Sequence, residues 1–113
     1  RDGIVAFLAT AKSEGKTVAA YGAAAKGNTF LNYCGIGNDQ IAFCVDRNPA
    51  KQNTLLPGSQ IPVHDVDVLY ERAPDYVLIL PWNLKTEISG QLSDLAAKGT
   101  RFVTAVPEVE VFT

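Results

Sequence analysis

Thr17-Val-Ala-Ala-Tyr21 followed by Gly22-Ala-Ala-Ala-Lys-Gly27 decides the reading of this chain. The first five residues are a short apolar run suited to a strand buried on both faces. The next six form a small-residue turn, and Asn28 to about Cys34 reads as a helix ended by Gly35 and Gly37. The turn has the form G-x-A-x-x-G, a dinucleotide-type fingerprint with Ala24 in the middle glycine's place. Gly22 permits the tight turn, a small residue at 24 lets phosphate approach the backbone, and Gly27 allows helix to pack closely on strand. The helix start then offers free N–H groups and partial positive charge to an anion. A phosphate loop of the Walker type is excluded, because Lys26 precedes Gly27 and Asn28 follows it.

Outward from this turn the chain alternates between the two periods. Asp2 to Glu14 reads as a helix with Ile4, Leu8 and Ala11 on one face. Ile41 to Val45 is a second strand closed by Asp46, and Asn48 to Gly58 a polar loop. Ile61 to Val63 is a short strand, placed at an edge by Pro62. Asp65 caps a short helix carrying Val66, Leu69 and Tyr70, ended by Pro74. Tyr76 to Leu80 is the clearest strand. Asn83 is a good N-cap for a helix with Leu84, Ile88, Leu92 and Leu95 on one face, ending at Lys98-Gly99. Arg101 to Val106 is the last strand, and Glu108 and Glu110 belong to an exposed strand face.

Strands alternating with helices imply right-handed crossovers and a sheet covered on both sides. The expected fold is a Rossmann-like three-layer α/β/α domain with a five-stranded, mostly parallel sheet in the order 3-2-1-4-5. Residues 1–113 make one domain. Strands 1 and 4 are then neighbours whose following helices lie on opposite faces, so their carboxyl ends frame a ligand crevice.

That crevice collects the candidate site. The turn contributes Gly22, Ala24, Lys26, Gly27, Asn28 and Thr29. Asp46, about 20 residues beyond the glycines, stands where a ribose-binding carboxylate belongs, or else caps the Asn48-Pro49 turn. Trp82 suits stacking on a base or sugar, and Asn83 suits donation to phosphate or a helix cap. His64 has no nucleophile and acid arranged beside it, so a catalytic triad is not supported.

Composition narrows the partners. Hydrophobic residues are 47% and charged residues 19%, which excludes disorder. Lys and Arg number 10 against 12 Asp and Glu, so there is no basic excess for nucleic acid or an acidic membrane surface. No apolar run approaches a bilayer span. Cys34 and Cys44 form no metal-ligand cluster and read as small buried hydrophobes, so no metal site and a reducing, cytoplasmic setting are expected. The chain contains no Met, and a piece of a longer protein is expected.

The stretch Val18-Ala-Ala-Tyr-Gly-Ala-Ala-Ala-Lys-Gly-Asn-Thr-Phe-Leu-Asn32 resembles a specific family. So do Val45-Asp-Arg-Asn-Pro49 with Lys51-Gln52, Leu56-Pro-Gly58, and Pro74-Asp-Tyr-Val-Leu-Ile-Leu-Pro-Trp-Asn83. They look like the C-terminal domain of S-adenosylmethionine-dependent C-methyltransferases acting on nucleotide-linked deoxysugars. The resemblance implies an N-terminal zinc-binding segment and a middle domain that binds S-adenosylmethionine, both outside this chain. It implies that this domain holds the nucleotide-sugar against the middle domain. The implied chemistry is proton removal beside a sugar keto group, then attack of the enolate on the cofactor's methyl. The base belongs to the missing part, so no catalytic residue and no cofactor are expected on this chain. The implied partners are a nucleotide-linked (dTDP) keto-sugar and the upstream methyltransferase domain. Asn53-Thr54 departs from the family pattern, where Gly and a basic residue are expected. Two other readings compete: an NAD-binding oxidoreductase domain, and a vestigial Rossmann domain serving packing or dimerisation.

Overall fold

The computed structural model describes residues 2–113. Helix α1 (Asp2–Ser13) leads into strand β1 (Val18–Tyr21), helix α2 (Ala25–Cys34) and strand β2 (Phe43–Val45). Strands β3 (Thr54–Leu55) and β4 (Pro62–His64) precede helix α3 (Asp67–Arg72) and strand β5 (Tyr76–Ile79). A 3-10 turn (Trp82–Leu84), helices α4 (Lys85–Gln91) and α5 (Ser93–Ala97), and strands β6 (Arg101–Thr104) and β7 (Glu110–Phe112) complete the chain.

The sheet is mixed and has seven strands rather than five, in the order β3-β4-β2-β1-β5-β6-β7. The strands expected from sequence correspond to β4, β2, β1, β5 and β6, which pair in parallel. The two additional strands pair antiparallel at the edges. β3 lies in the stretch expected to be loop. Asn53 and Gln60 hold positive φ, as does Gly58, and the chain folds back so that Thr54 faces Val63 and Leu55 faces Pro62. Pro62 therefore lies one strand inside the edge. β7 is secured from outside the sheet, where Lys85 Nζ reaches Glu110 Oε1 at 2.6 Å and lies 5.5 Å from the Phe112 ring centroid.

Alternation along the strands divides the core in two. Val18, Ala20, Cys44, Leu78 and Val103 join Ile4, Leu8, Leu31 and Cys34, which places α1 and α2 on one face. Ala19, Tyr21, Val45, Val77, Ile79 and Phe102 join Leu69, Ile88, Leu92 and Leu95, which places α3, α4 and α5 on the other. The helices that follow β1 and β5 thus cover opposite faces, leaving a crevice between the carboxyl ends of these neighbouring strands.

Three helix boundaries differ from expectation. α2 starts at Ala25, not Asn28, so Lys26 and Gly27 belong to its first turn. The helix expected from Asn83 begins as the 3-10 turn, and α4 starts at Lys85 with Leu84 as its N-cap. It is then interrupted at Leu92, whose φ of -104° and ψ of 21° separate α4 from α5. The last strand stops at Thr104, freeing Ala105 and Val106 to leave the sheet.

Candidate functional site

Gly22 carries φ +103°, and a Cβ there would lie 2.7 Å from Pro81 Cδ. A Cβ at Gly27 would lie 2.9 Å from Leu80 Cβ. The absence of both side chains lets the glycine turn rest directly on the segment after β5. Two motifs about 55 residues apart in sequence thus become two walls of one crevice.

The turn is clamped from β2. Gly22 N–H donates to Val45 C=O at 2.8 Å, and Cys44 Sγ lies 3.5 Å from the Gly22 carbonyl. Burial, reinforced by the Asp46 charge, pushes the Cys44 thiol up to about 12, so it stays protonated as a donor rather than a nucleophile. Asp46 accepts Ala23 N–H on Oδ2 at 2.7 Å and Asn48 N–H on Oδ1 at 2.8 Å.

Beyond this clamp the backbone is open. Ala24 is the N-cap of α2, with extended φ and ψ and no side-chain cap. The first N–H groups of a helix have no partner within the helix, and here nothing else supplies one. Among the described residues, the N–H groups of Ala24, Ala25, Lys26 and Gly27 donate no hydrogen bond, whereas Asn28 N–H donates to Ala24 C=O at 3.1 Å. Lys26 is exposed and joins no ion pair among the described residues. Four open amides, the positive end of the helix dipole and a free ammonium favour an anion.

Of these residues, Ala24, Lys26 and Gly27 line a cleft of about 510 Å³ that also includes Gly22, Trp82 and Asn83. Trp82 is 47% exposed although it is the largest side-chain type, and the Asn83 amide makes no hydrogen bond among the described residues. Phe30, Leu80 and Val106 make the rest of the wall apolar. One end therefore suits negative charge and the other a flat or ring-shaped group.

The residue pattern that defines the C-methyltransferase C-terminal domain matches residues 1–107. The chain belongs to this family. The C-methyltransferase NovU of Streptomyces niveus is 41% identical over 101 residues, covering 89% of this chain and 24% of that protein. The chain thus spans 24% of the length of the curated relative it matches. Among solved structures, UDP-D-quinovosamine 4-dehydrogenase from Vibrio fischeri matches with a TM-score of 0.55 over 82% of this chain and 79% of that one. At 18% identity that likeness concerns the fold alone.

For this family member, the structure brings together six of the nine residues singled out in the sequence: Gly22, Ala24, Lys26, Gly27, Trp82 and Asn83. Asn28, Thr29 and Asp46 are not in the cleft wall. Thr29 is exposed on α2, and Asn28 is half-buried with its Oδ1 unpaired among the described residues. Both Asp46 oxygens hold backbone N–H groups, which makes it a brace for the turn. Phe30, Ala105 and Val106 line the cleft unforeseen. Phe30 was legible as the residue one helical turn beyond Lys26; Ala105 and Val106 carried no signal, because they read as strand. Among the described residues, no group of three or more His, Cys, Asp or Glu is placed to hold a metal ion, and no helix is long and apolar enough to cross a membrane.

Proposed function

We propose that this chain is the substrate-holding domain of a cytoplasmic, S-adenosylmethionine-dependent C-methyltransferase acting on a nucleotide-linked keto-deoxysugar, with thymidine diphosphate as the nucleotide. Methyl transfer belongs to the part of the parent protein outside this chain. The uncapped start of α2 carries the reading: Ala24, Lys26 and Gly27, whose amides are unpaired among the described residues, line the same cleft as Trp82 and Asn83. In this arrangement the diphosphate lies on the amides of residues 24–27, and Lys26 offsets its second charge. Trp82 stacks on the sugar ring, and Asn83 donates to a sugar or phosphate oxygen. Desolvation by Phe30, Leu80 and Val106 strengthens these contacts.

S-adenosylmethionine supplies an electrophilic methyl group when bound to the parent enzyme. Its sulfonium is a cation, and a cleft of N–H donors with a free lysine does not fit it. No step on this chain is therefore assigned to that cofactor. The NAD reading loses ground to Asp46, whose two oxygens already hold the Ala23 and Asn48 N–H groups where a ribose would need them free. The packing-module reading accounts for an exposed Trp82 but gives no reason for the open amides beside it.

Titration of the chain with thymidine diphosphate, NAD and S-adenosylmethionine, followed by amide resonances, separates the three. The expected result is that thymidine diphosphate shifts residues 24–27 while the other two leave them unmoved. Tight NAD binding overturns the reading in favour of the oxidoreductase domain, and silence from all three ligands favours the packing module.

A further inference from the structure

A second cavity, of about 370 Å³, opens at the same carboxyl edge. Its apolar residues Val66 and Leu92 belong to the α3–α5 side of the core, whereas Phe30 and Leu80 of the first cleft pack on the α1–α2 side. The two hollows therefore flank the sheet edge. Neighbouring residues at the end of β1 serve both: Gly22 lines the first, and Tyr21 holds Arg47, which lines the second.

Among the described residues, three polar side chains of this cavity are each fixed by one hydrogen bond and keep another polar atom free. Arg47 donates Nε to the Tyr21 hydroxyl at 2.9 Å, leaving its two terminal amino groups. Gln52 donates Nε2 to Asp46 C=O at 2.9 Å, leaving Oε1. Asp65 accepts Asp67 N–H on Oδ1 at 2.9 Å, leaving Oδ2. No ion pair joins Arg47 to either carboxylate among the described residues. Tyr70, 37% exposed, adds an aromatic wall. Such anchoring is what a binding site needs, because the ordering cost of the side chains is met before the ligand arrives.

The charge pattern selects the ligand class. Asp65 and Asp67 outnumber Arg47, so a phosphate is repelled here, in contrast to the α2 turn. A neutral heterocycle on a ribose fits: its N–H and hydroxyl donors meet Asp65 Oδ2 and Gln52 Oε1, its carbonyls meet Arg47, and its face meets Tyr70. From β4 to β6 the carboxyl edge runs about 19 Å, room for an extended molecule with base, diphosphate and sugar in line. We infer that the second cavity takes the nucleoside end of the ligand whose diphosphate lies on the α2 turn. This inference rests on the reading given under Proposed function.

The test titrates the chain with thymidine, inorganic pyrophosphate and thymidine diphosphate, followed by backbone and arginine Nε resonances. Thymidine is expected to shift residues 65–70 and Arg47, pyrophosphate residues 24–27, and thymidine diphosphate both sets. Arg47→Ala is expected to weaken thymidine diphosphate about tenfold with pyrophosphate unchanged. Tyr70→Ala, at an exposed position, is expected to act in the same direction without the loss of the Tyr21 bond. Thymidine shifts at Trp82 and Asn83 instead, no thymidine shifts at all, or unchanged thymidine diphosphate affinity in both variants overturns the inference. If pyrophosphate leaves residues 24–27 unmoved while thymidine shifts 65–70, the diphosphate reading fails and the cavity stands as a nucleoside site.

Discussion

At the amino edge of the sheet, Thr17 N–H donates to Asp75 Oδ2 at 2.8 Å, Asp75 N–H donates to Thr17 Oγ1 at 3.2 Å, and Thr100 Oγ1 donates to Pro74 C=O at 2.8 Å. These polar groups are each paired with a group from a neighbouring element. At the carboxyl edge, among the described residues, amides 24–27 have no such partner, the Asn83 side chain has none, and Trp82 is half in solvent. Both edges face water and both are built from strand ends and turns, so chain geometry alone does not explain the difference. On the function proposed above, the amino edge is closed for stability and the carboxyl edge is the one that receives the ligand, as expected at a strand-order switch in an α/β sheet.

Substitutions sharpen this contrast. The largest effect is expected from Gly22→Ala. The new Cβ meets Pro81 Cδ at 2.7 Å and the backbone keeps φ +103°, so strain and overpacking together cost about 3 kcal/mol. Thermal unfolding measures it, and a loss below about 1 kcal/mol means the two walls of the cleft are not tightly joined. Next comes Thr100→Val, which leaves the buried Pro74 carbonyl unpaired at a cost of about 2 kcal/mol. Ligand affinity should not change; a change in affinity breaks the division of labour between the edges. Lys26→Ala in the parent enzyme is expected to raise the substrate KM about tenfold while kcat falls less, the pattern of lost uniform binding. Collapse of kcat at unchanged KM contradicts the role given to Lys26.

How far the sequence revealed all this follows the same division. The apolar runs at 17–21, 41–45 and 76–80 announced buried strands, and the spacing of Gly22 and Gly27 announced a turn pressed against a neighbour. β3 and β7 were missed, β3 outright, because antiparallel edge strands of two and three residues are fixed by turn geometry and by the Lys85–Glu110 pair rather than by periodicity. The cap signal misled in an instructive way. Asn83 is a good N-cap residue, yet α4 starts at an uncapped Leu84, and α2, expected from Asn28, starts at an uncapped Ala24. Local propensity fails where the molecule keeps polar groups unused, and such failures gather at functional sites. Asp46 carried two readings, ribose ligand or turn cap; its bonds to Ala23 and Asn48 make it a brace, a distinction that required coordinates.

The smallest expected change in stability belongs to the most direct test. Ala24→Asp places a carboxylate at an N-cap position whose extended backbone suits it, where it accepts the open amides of the first turn. The domain should gain about 1 kcal/mol in thermal or denaturant unfolding, while its affinity for thymidine diphosphate falls at least tenfold, because the internal carboxylate occupies the anion's place. A variant that is stabilised yet binds thymidine diphosphate as well as the parent chain contradicts the claim that these amides hold the diphosphate.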